Sequence, residues 1–316
     1  GKGRTNIVGA VKIFAMCVSV PLNYVFIFGK LGVPAMGIVG AAMAASVASG
    51  ASALLSFLIF FFDTRRKFPI QQHMRFQPDI VRKLLAFGIP GGVQVFLRSL
   101  CFAIVIMMIG ELGKVSLSAV SLAMTINMLS FVPLVGLSDA SSVITGKYIG
   151  EGHFSIARTV VWRALGMMYV YAAAIALVYV FAPNLLIELF HSDNGTTSAA
   201  EFQEAAKLVR IILLIQCVQN FFDSLRFIVL GGLRGAGDTR VPLLLGAITA
   251  LLIMLPAAWI SINVLRLPVY WCWALSISLY IAADAALMTW RRATGAWKKI
   301  RVIPIQPLDD EEEATA

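Results

Sequence analysis

Eight apolar runs, each long enough to cross a bilayer as a helix, follow one another along this chain, at about 5–28, 37–62, 83–110, 117–147, 159–182, 206–232, 241–264 and 269–290. No other feature restricts the fold as strongly. Hydrocarbon offers no partner for backbone N–H and C=O groups, so a crossing segment must be a helix or part of a closed barrel. A barrel needs alternating strands of ~10 residues, and these runs do not alternate. The expected fold is therefore an all-α polytopic membrane protein, a helical bundle of about eight transmembrane helices. With 59% hydrophobic and 14% charged residues, the chain also lacks the charge to solvate a soluble domain.

The basic residues order these runs. Lys2, Arg4, Arg65, Arg66, Lys67, Arg75, Arg82, Lys83, Lys147, Arg158, Arg163, Arg234, Arg240, Arg291, Arg292, Lys298, Lys299 and Arg301 fall at one set of connections. The opposite set holds Lys30, Lys114, Lys207, Arg210 and Arg266. By the positive-inside rule the first set is cytoplasmic, which predicts a multi-pass protein of the cell (inner) membrane with a cytoplasmic C-terminus. The net charge of +9 then reflects topology, and no nucleic-acid partner is expected. The partner that composition does demand is the lipid bilayer.

Cys17, Cys101, Cys217 and Cys272 lie in apolar runs without Cys-x-x-Cys spacing, and His73, His153 and His191 lie in connections. Neither a zinc site nor a disulfide framework is indicated. No cofactor, metal or catalytic residue is expected, and the chain does not read as an enzyme. Gly235-Ala-Gly237 is not a phosphate cradle: it follows a membrane helix and lacks a following Gly-Lys-Ser/Thr.

Four parts are expected. Residues 1–62 carry two helices, and 63–82 form a basic cytoplasmic linker with Pro69 and Pro78. Residues 83–292 form a six-helix bundle, and 293–316 a cytoplasmic tail ending in the acidic run Asp309–Glu313. Residues 183–205 read as an acidic outer loop, with a glycosylation sequon at Asn194 weighed at chance level. A start at Gly1, running almost at once into a membrane segment, reads as a piece whose N-terminal part is missing. The small-residue stretch Gly40–Gly50 reads as a site of close helix approach.

One apolar run is unlike the rest. Gln216, Gln219, Asn220 and Asp223 recur at i, i+3, i+4 and i+7, one face of a helix, with Arg226 a further turn on. A carboxylate at membrane depth costs about 2.5–3.5 kcal/mol on insertion scales, so it needs a partner, a wet cavity or a function. Arg226 is the local partner by spacing. Gln94, Asn127 and Asp139 are further candidates for a polar cavity, and Arg98 is a second intramembrane cation. Asp284 reads as structural, meeting Arg291 or water. Beyond the stripe, Gly231 and Gly232 are expected to end the helix. Arg234, Gly235, Gly237 and Asp238 then form a loop, with Asp238 or Thr239 capping the next helix and Pro242 in its first turn.

These residues also carry a resemblance. Gly-Gly-Leu-Arg-Gly-Ala-Gly-Asp-Thr-Arg (231–240) after Phe222-Asp223-Ser is similar to the loop after the tenth helix of multidrug and toxic compound extrusion (MATE) transporters. Phe87-Gly-Ile-Pro90 resembles the opening of the seventh helix. Phe131-Val-Pro-Leu-Val-Gly136 with Gly146-Lys-Tyr-Ile-Gly150 resembles the eighth helix and its exit. Asn23-Tyr-Val-Phe-Ile-Phe-Gly followed by Gly32-Val-Pro-Ala-Met-Gly resembles the fifth-to-sixth junction.

The resemblance covers nearly the whole chain and implies helices five to twelve of a twelve-helix protein. The partners it implies are the missing N-terminal helices of the same protein and small organic cations. The function it implies is secondary active antiport, exporting organic cations or drugs in exchange for Na⁺ or H⁺ by alternating access. Asp223 then stands where parts of the family use an embedded acid for coupling or substrate binding. Arg98 departs from branches that place a carboxylate there, and it offers a second pairing for Asp223, across the bundle. Two alternatives stay open: a flippase of lipid-linked saccharides in the same superfamily, and a fragment that transports nothing.

Overall fold

The computed structural model describes residues 5–30, 34–65, 78–190, 199–295 and 297. Most of the 63–82 linker, the outer segment around His191 and Asn194, and the tail beyond Trp297 lie outside the described residues. Eight of the described helices are long and apolar enough to cross a membrane, and no strand occurs among the described residues. The chain divides into two compact units, Gly1–Pro78 and Asp79–Ala316.

The first unit is a helical hairpin, α1 (Thr5–Phe28) packed on α2 (Gly37–Arg65). Small residues set their spacing, as expected. Ala44 and Ala48 are buried, and Gly40 lies so close to the Phe26 carbonyl that a Cβ there has no room. Gly29, at φ +68°, makes the turn out of α1.

The second unit begins with α3 (Pro78–Gly110), α4 (Lys114–Gly150) and α5 (Phe154–Phe181). A short helix, α6 (Pro183–Phe190), occupies part of the segment expected to be a loop. Its Leu186 and Ile187 are buried in the main core, which explains why it folds back on the bundle. The next helix, α7 (Ala199–Gly235), is central and packs against α4, α5 and the last helix. The bundle closes with α8 (Arg240–Val264) and α9 (Val269–Ala293). The crossing helices overrun the apolar runs by up to about two turns, because turns at the water interface need no apolar side chains.

Neither α8 nor α9 is regular. Wider π-helical turns occupy Ala250–Met254, Ile260–Val264 and Ala274–Ser278. Pro256 accounts for the first. It has no N–H to donate one turn back, and its ring displaces the carbonyl there, so the turn before it opens.

The expectation for Gly231 and Gly232 fails. Both lie inside α7, which runs on to Gly235, and the turn comes only at Gly237, where φ is +82°. The glycines serve packing instead. A Cβ on Gly231 would strike the Ser138 carbonyl, and one on Gly235 the Ser142 carbonyl, both on α4. Gly146 of α4 approaches the Gly235 carbonyl in the same way, within 3.1 Å of an added Cβ. Thr239 holds the N-cap position of α8 without a side-chain cap, and Pro242 does sit in the first turn. Asp238 does not cap; it is buried and accepts a 2.7 Å bond from Arg291 Nε.

Candidate functional site

The polar stripe of α7 stands about half-way along its apolar stretch. Asp223 lies roughly 18 Å from Gly235 at 1.5 Å per helical residue. Around it the second unit forms a half-open cavity of about 490 Å³. That is the size of a small-molecule site. Side chains reach it from α3 (Arg98, Phe102), α4 (Asn127, Phe131), α7 (Gln216, Gln219, Asp223, Arg226, Phe227), α8 (Met254) and α9 (Trp273, Tyr280). Its walls are aromatic pairs set edge to face: Phe102 with Trp273 at 6.2 Å, and Phe131 with Phe227 at 5.5 Å.

Charge in the cavity centres on Arg226. Its Nη2 stands 2.6 Å from Asp223 Oδ1, and its Nη1 3.7 Å from Asp284 Oδ2. All three side chains are nearly dry. The guanidinium is sandwiched between the rings of Phe227 (4.7 Å) and Tyr280 (5.1 Å). Such an arrangement suits a planar cation, whose faces attract π electrons while its edges serve carboxylates. Thus the local pairing of Asp223 prevails, and no ion pair joins it to Arg98 among the described residues. One turn of helix fixes the first pair, whereas Arg98 must reach from α3. Arg98 instead lies over the Phe227 ring at 5.3 Å, on the cavity wall.

The amides divide into three groups. Gln219 is fully engaged: its Nε2 donates to Ser278 Oγ at 2.9 Å, and its Oε1 accepts from Trp273 Nε1 at 3.2 Å. It ties α7 to the π-turn of α9. Gln216 and Asn127 line the cavity with buried oxygens, Oε1 and Oδ1, that have no hydrogen-bond partner. Gln216 Nε2 makes only a long 3.4 Å contact to the Ala123 carbonyl.

Three predicted cavity residues are elsewhere. Asn220 turns toward α4, where Nδ2 donates to Ser130 Oγ at 3.0 Å, beside Tyr179. Gln94 is buried at the start of α8, donating to the Pro242 carbonyl at 2.9 Å and accepting from Arg234 Nη2 at 3.3 Å. Asp139 is exposed on α4 and does not line the cavity, because the adjacent Ser138 is the side chain that faces α7, donating to the Phe227 carbonyl at 2.6 Å. Conversely, the reading of Asp284 as a mere partner of Arg291 fails. Arg291 is taken by Asp238, and Asp284 faces inward to Arg226 and accepts from Thr249 Oγ1 at 3.4 Å. Its i, i+4 relation to Tyr280, on the same face of α9, is the signal that placed it there.

A family model described as MatE matches residues 90–260, which holds most of this cavity. The chain belongs to the MatE family. Among its curated relatives, a probable multidrug resistance protein NorM of Pseudomonas putida is 26% identical over 295 residues, covering 92% of this chain and 63% of that protein. Another, of Agrobacterium fabrum, is 30% identical over 265 residues, covering 81% of this chain and 55% of that protein. The chain thus spans about three-fifths of the length of the curated relatives it matches.

Solved structures agree on the fold. The eukaryotic MATE transporter AtDTX14 superposes with a TM-score of 0.78 at 19% identity, over 92% of this chain and 62% of that one. An outward-facing multidrug resistance MATE transporter gives 0.75 at 21%, over 92% and 63%. The MatE family is one of multi-pass membrane transporters, not of enzymes.

Proposed function

We propose that this MatE chain forms part of a secondary active multidrug exporter of the inner membrane, moving small amphipathic molecules outward in exchange for H⁺ or Na⁺. The observation that supports this most is the ion pair Asp223–Arg226 on the wall of a small-molecule-sized cavity at mid-membrane depth. A proton or Na⁺ arriving at Asp223 competes with Arg226 for the same oxygens. Its arrival frees the guanidinium to turn toward Asp284, 3.7 Å away, and so changes what α7 holds on α9. That is a bistable contact of the kind on which alternating access depends.

Among the names of its relatives, multidrug resistance recurs, and the family resemblance adds organic cations as substrates. The test is dye efflux from cells expressing the complete reading frame, under imposed inward H⁺ or Na⁺ gradients. One of the two gradients should accelerate export, and Asp223→Asn should abolish that acceleration. Export indifferent to both gradients would remove antiport from the reading.

A further inference from the structure

Another buried guanidinium lies away from the cavity, where α5 begins and α7 and α9 end. Arg292, in the last turn of α9, is only 7% exposed. Its side chain runs between α7 and α5, into the space that Gly232 leaves by lacking a side chain. A Cβ on Gly232 would come within 2.6 Å of both Arg292 Nη1 and Val161 Cγ2. Trp297 covers the group from outside. Its ring lies 5.3 Å from the guanidinium and 6.4 Å from the ring of Phe154, the first residue of α5. Its Nε1 donates to the Arg292 carbonyl at 3.1 Å. None of these residues lines the cavity.

One face of this guanidinium is packed, but its edges are not satisfied. Nη1 and Nη2 are both buried without a hydrogen-bond partner. No carboxylate among the described residues stands within ion-pair distance of them. The charged side chain that acts on Arg292 is another arginine, Arg158, one turn into α5. Acids at this end of the bundle are committed elsewhere: Asp238 to Arg291 at 2.7 Å, Glu151 to Lys147 at 3.8 Å, and Asp139 toward Arg234. A buried charge without a partner is costly. An anion that accepts from the two arginines offsets that cost through charge-assisted, bidentate hydrogen bonds. The start of α5 adds to this, since no side chain caps it and a helix N-terminus favours negative charge.

The depth of Arg292 indicates what carries the anion. The 25 residues of α9 extend about 37 Å at 1.5 Å per residue, so its last turn stands outside a hydrocarbon core of ~30 Å, among headgroups. Trp162, one turn beyond Arg158 on the same face of α5, and Trp290 of α9 are exposed, as tryptophans at a membrane boundary are. We propose that Arg292 and Arg158 bind the phosphodiester of an anionic phospholipid, which takes the free edges of the Arg292 guanidinium as the Trp297 ring swings aside. Basic pockets between helices hold such headgroups on the cytoplasmic side of membranes, the side to which the positive-inside rule assigns this end. Gly295, at φ +68°, makes the turn that carries Trp297 back over Arg292.

The test is thermal unfolding of the purified 316-residue chain in a neutral detergent, titrated with phosphatidylglycerol, phosphatidylcholine or glycerol phosphate. Phosphatidylglycerol should raise the Tm saturably, and half of the rise should need about tenfold less lipid than with phosphatidylcholine, the factor expected of one charge-assisted bond. Glycerol phosphate, which has no acyl chains to hold it there, should do little. Arg292→Met should raise the lipid-free Tm, because an unpaired buried charge is gone, and abolish the response to phosphatidylglycerol. Arg158→Gln should weaken that response and leave the lipid-free Tm unchanged. Lys147→Gln, an exposed basic residue at the same end, should change neither. Trp297→Ala should reduce the lipid needed for half of the rise, since no ring has to move. Each readout compares ligands on one protein, so a variant of lowered stability still gives an answer.

Equal responses to the two phospholipids, or a response to phosphatidylglycerol that survives Arg292→Met, overturn the proposal. A response weakened as much by Lys147→Gln as by Arg158→Gln overturns it too, since diffuse attraction to a basic surface then suffices. Glycerol phosphate acting as strongly as phosphatidylglycerol overturns the lipid as the source of the phosphate.

Discussion

Two stretches of α7, separated by a single turn, do opposite things. Over residues 216–227 one face of the helix, that of Gln216, Gln219, Asp223 and Arg226, lines a cavity, while another face stays bonded to α4 through Asn220 and the Phe227 carbonyl. Over 231–235 its backbone is pressed against the backbone of α4, with no room for a methyl group at either Gly231 or Gly235. The difference lies in side-chain bulk on one helix face. Glutamine, aspartate and phenylalanine hold helices apart, and the polar ends must then meet one another or a ligand. Glycine lets helices touch, so dispersion forces and close carbonyl packing take over where lipid gives no hydrophobic drive. A close-packed seam one turn below the cavity fixes α7 against α4 there. The helices α8 and α9, which supply Met254, Trp273 and Tyr280 to the cavity, are the ones that carry the π-turns.

The largest test of this contrast is the ion pair. Removing one partner of a buried pair costs about 3–5 kcal/mol, because the other is left charged and dry. Asp223→Ala should therefore lower stability to denaturation in mixed micelles by that amount. Replacing the whole set (Asp223→Leu, Arg226→Met and Asp284→Leu) should return most of it, while gradient-driven dye export stays lost. Equal stability of Asp223→Ala and the parent chain would mean that water already reaches the pair.

Next in size is the seam. Gly231→Ala and Gly235→Ala each insert a methyl group against a carbonyl that cannot move without bending α4. Overpacking of this kind costs about 1–3 kcal/mol. Gly136→Ala is the control, since a Cβ there meets open space, and it should be neutral or slightly stabilising. Were Gly235→Ala to behave like Gly136→Ala in the same denaturation assay, the seam would be looser than the geometry shows.

The two stretches were unequally legible in the sequence. Lipid length identified the eight crossing helices of the described residues, because it follows from solvation alone. The stripe Gln216, Gln219 and Asp223 was visible as a helical period, and it does face the cavity. Asn220 shares the period but sits at the edge of the stripe, where the nearest partner, Ser130, belongs to another helix. Periodicity cannot reveal such a neighbour. Gln94 and Asp139 were chosen for being polar at membrane depth, and polarity does not say which way a helix is rotated.

Gly231 and Gly232 were misread for a related reason. Two adjacent glycines signal a helix end in water, where each weakens the helix. In a membrane interior they signal close approach, and only the packing partner decides between the two. Asp284 was missed because its distance from the helix end was weighed and its face was not.

The smallest effect is the most discriminating, because stability and binding should move in opposite order. Gln219 makes two good hydrogen bonds, to Ser278 and from Trp273, so Gln219→Leu strands two groups. The expected loss is about 1 kcal/mol, in the usual range for such bonds. Gln216 makes one long contact and leaves Oε1 unpartnered, so Gln216→Leu should cost close to nothing or stabilise the fold.

For binding of a transported dye that carries a hydroxyl or amine, the order should invert. Gln216→Leu removes an acceptor that waits for that donor and should weaken binding about tenfold, the equivalent of about 1.4 kcal/mol. Gln219→Leu removes only groups already bonded to the protein, so its effect on binding should be several-fold smaller. If both leucine variants lose stability and affinity in the same proportion, the amide stripe of α7 is structural throughout, and its two stretches differ in spacing alone.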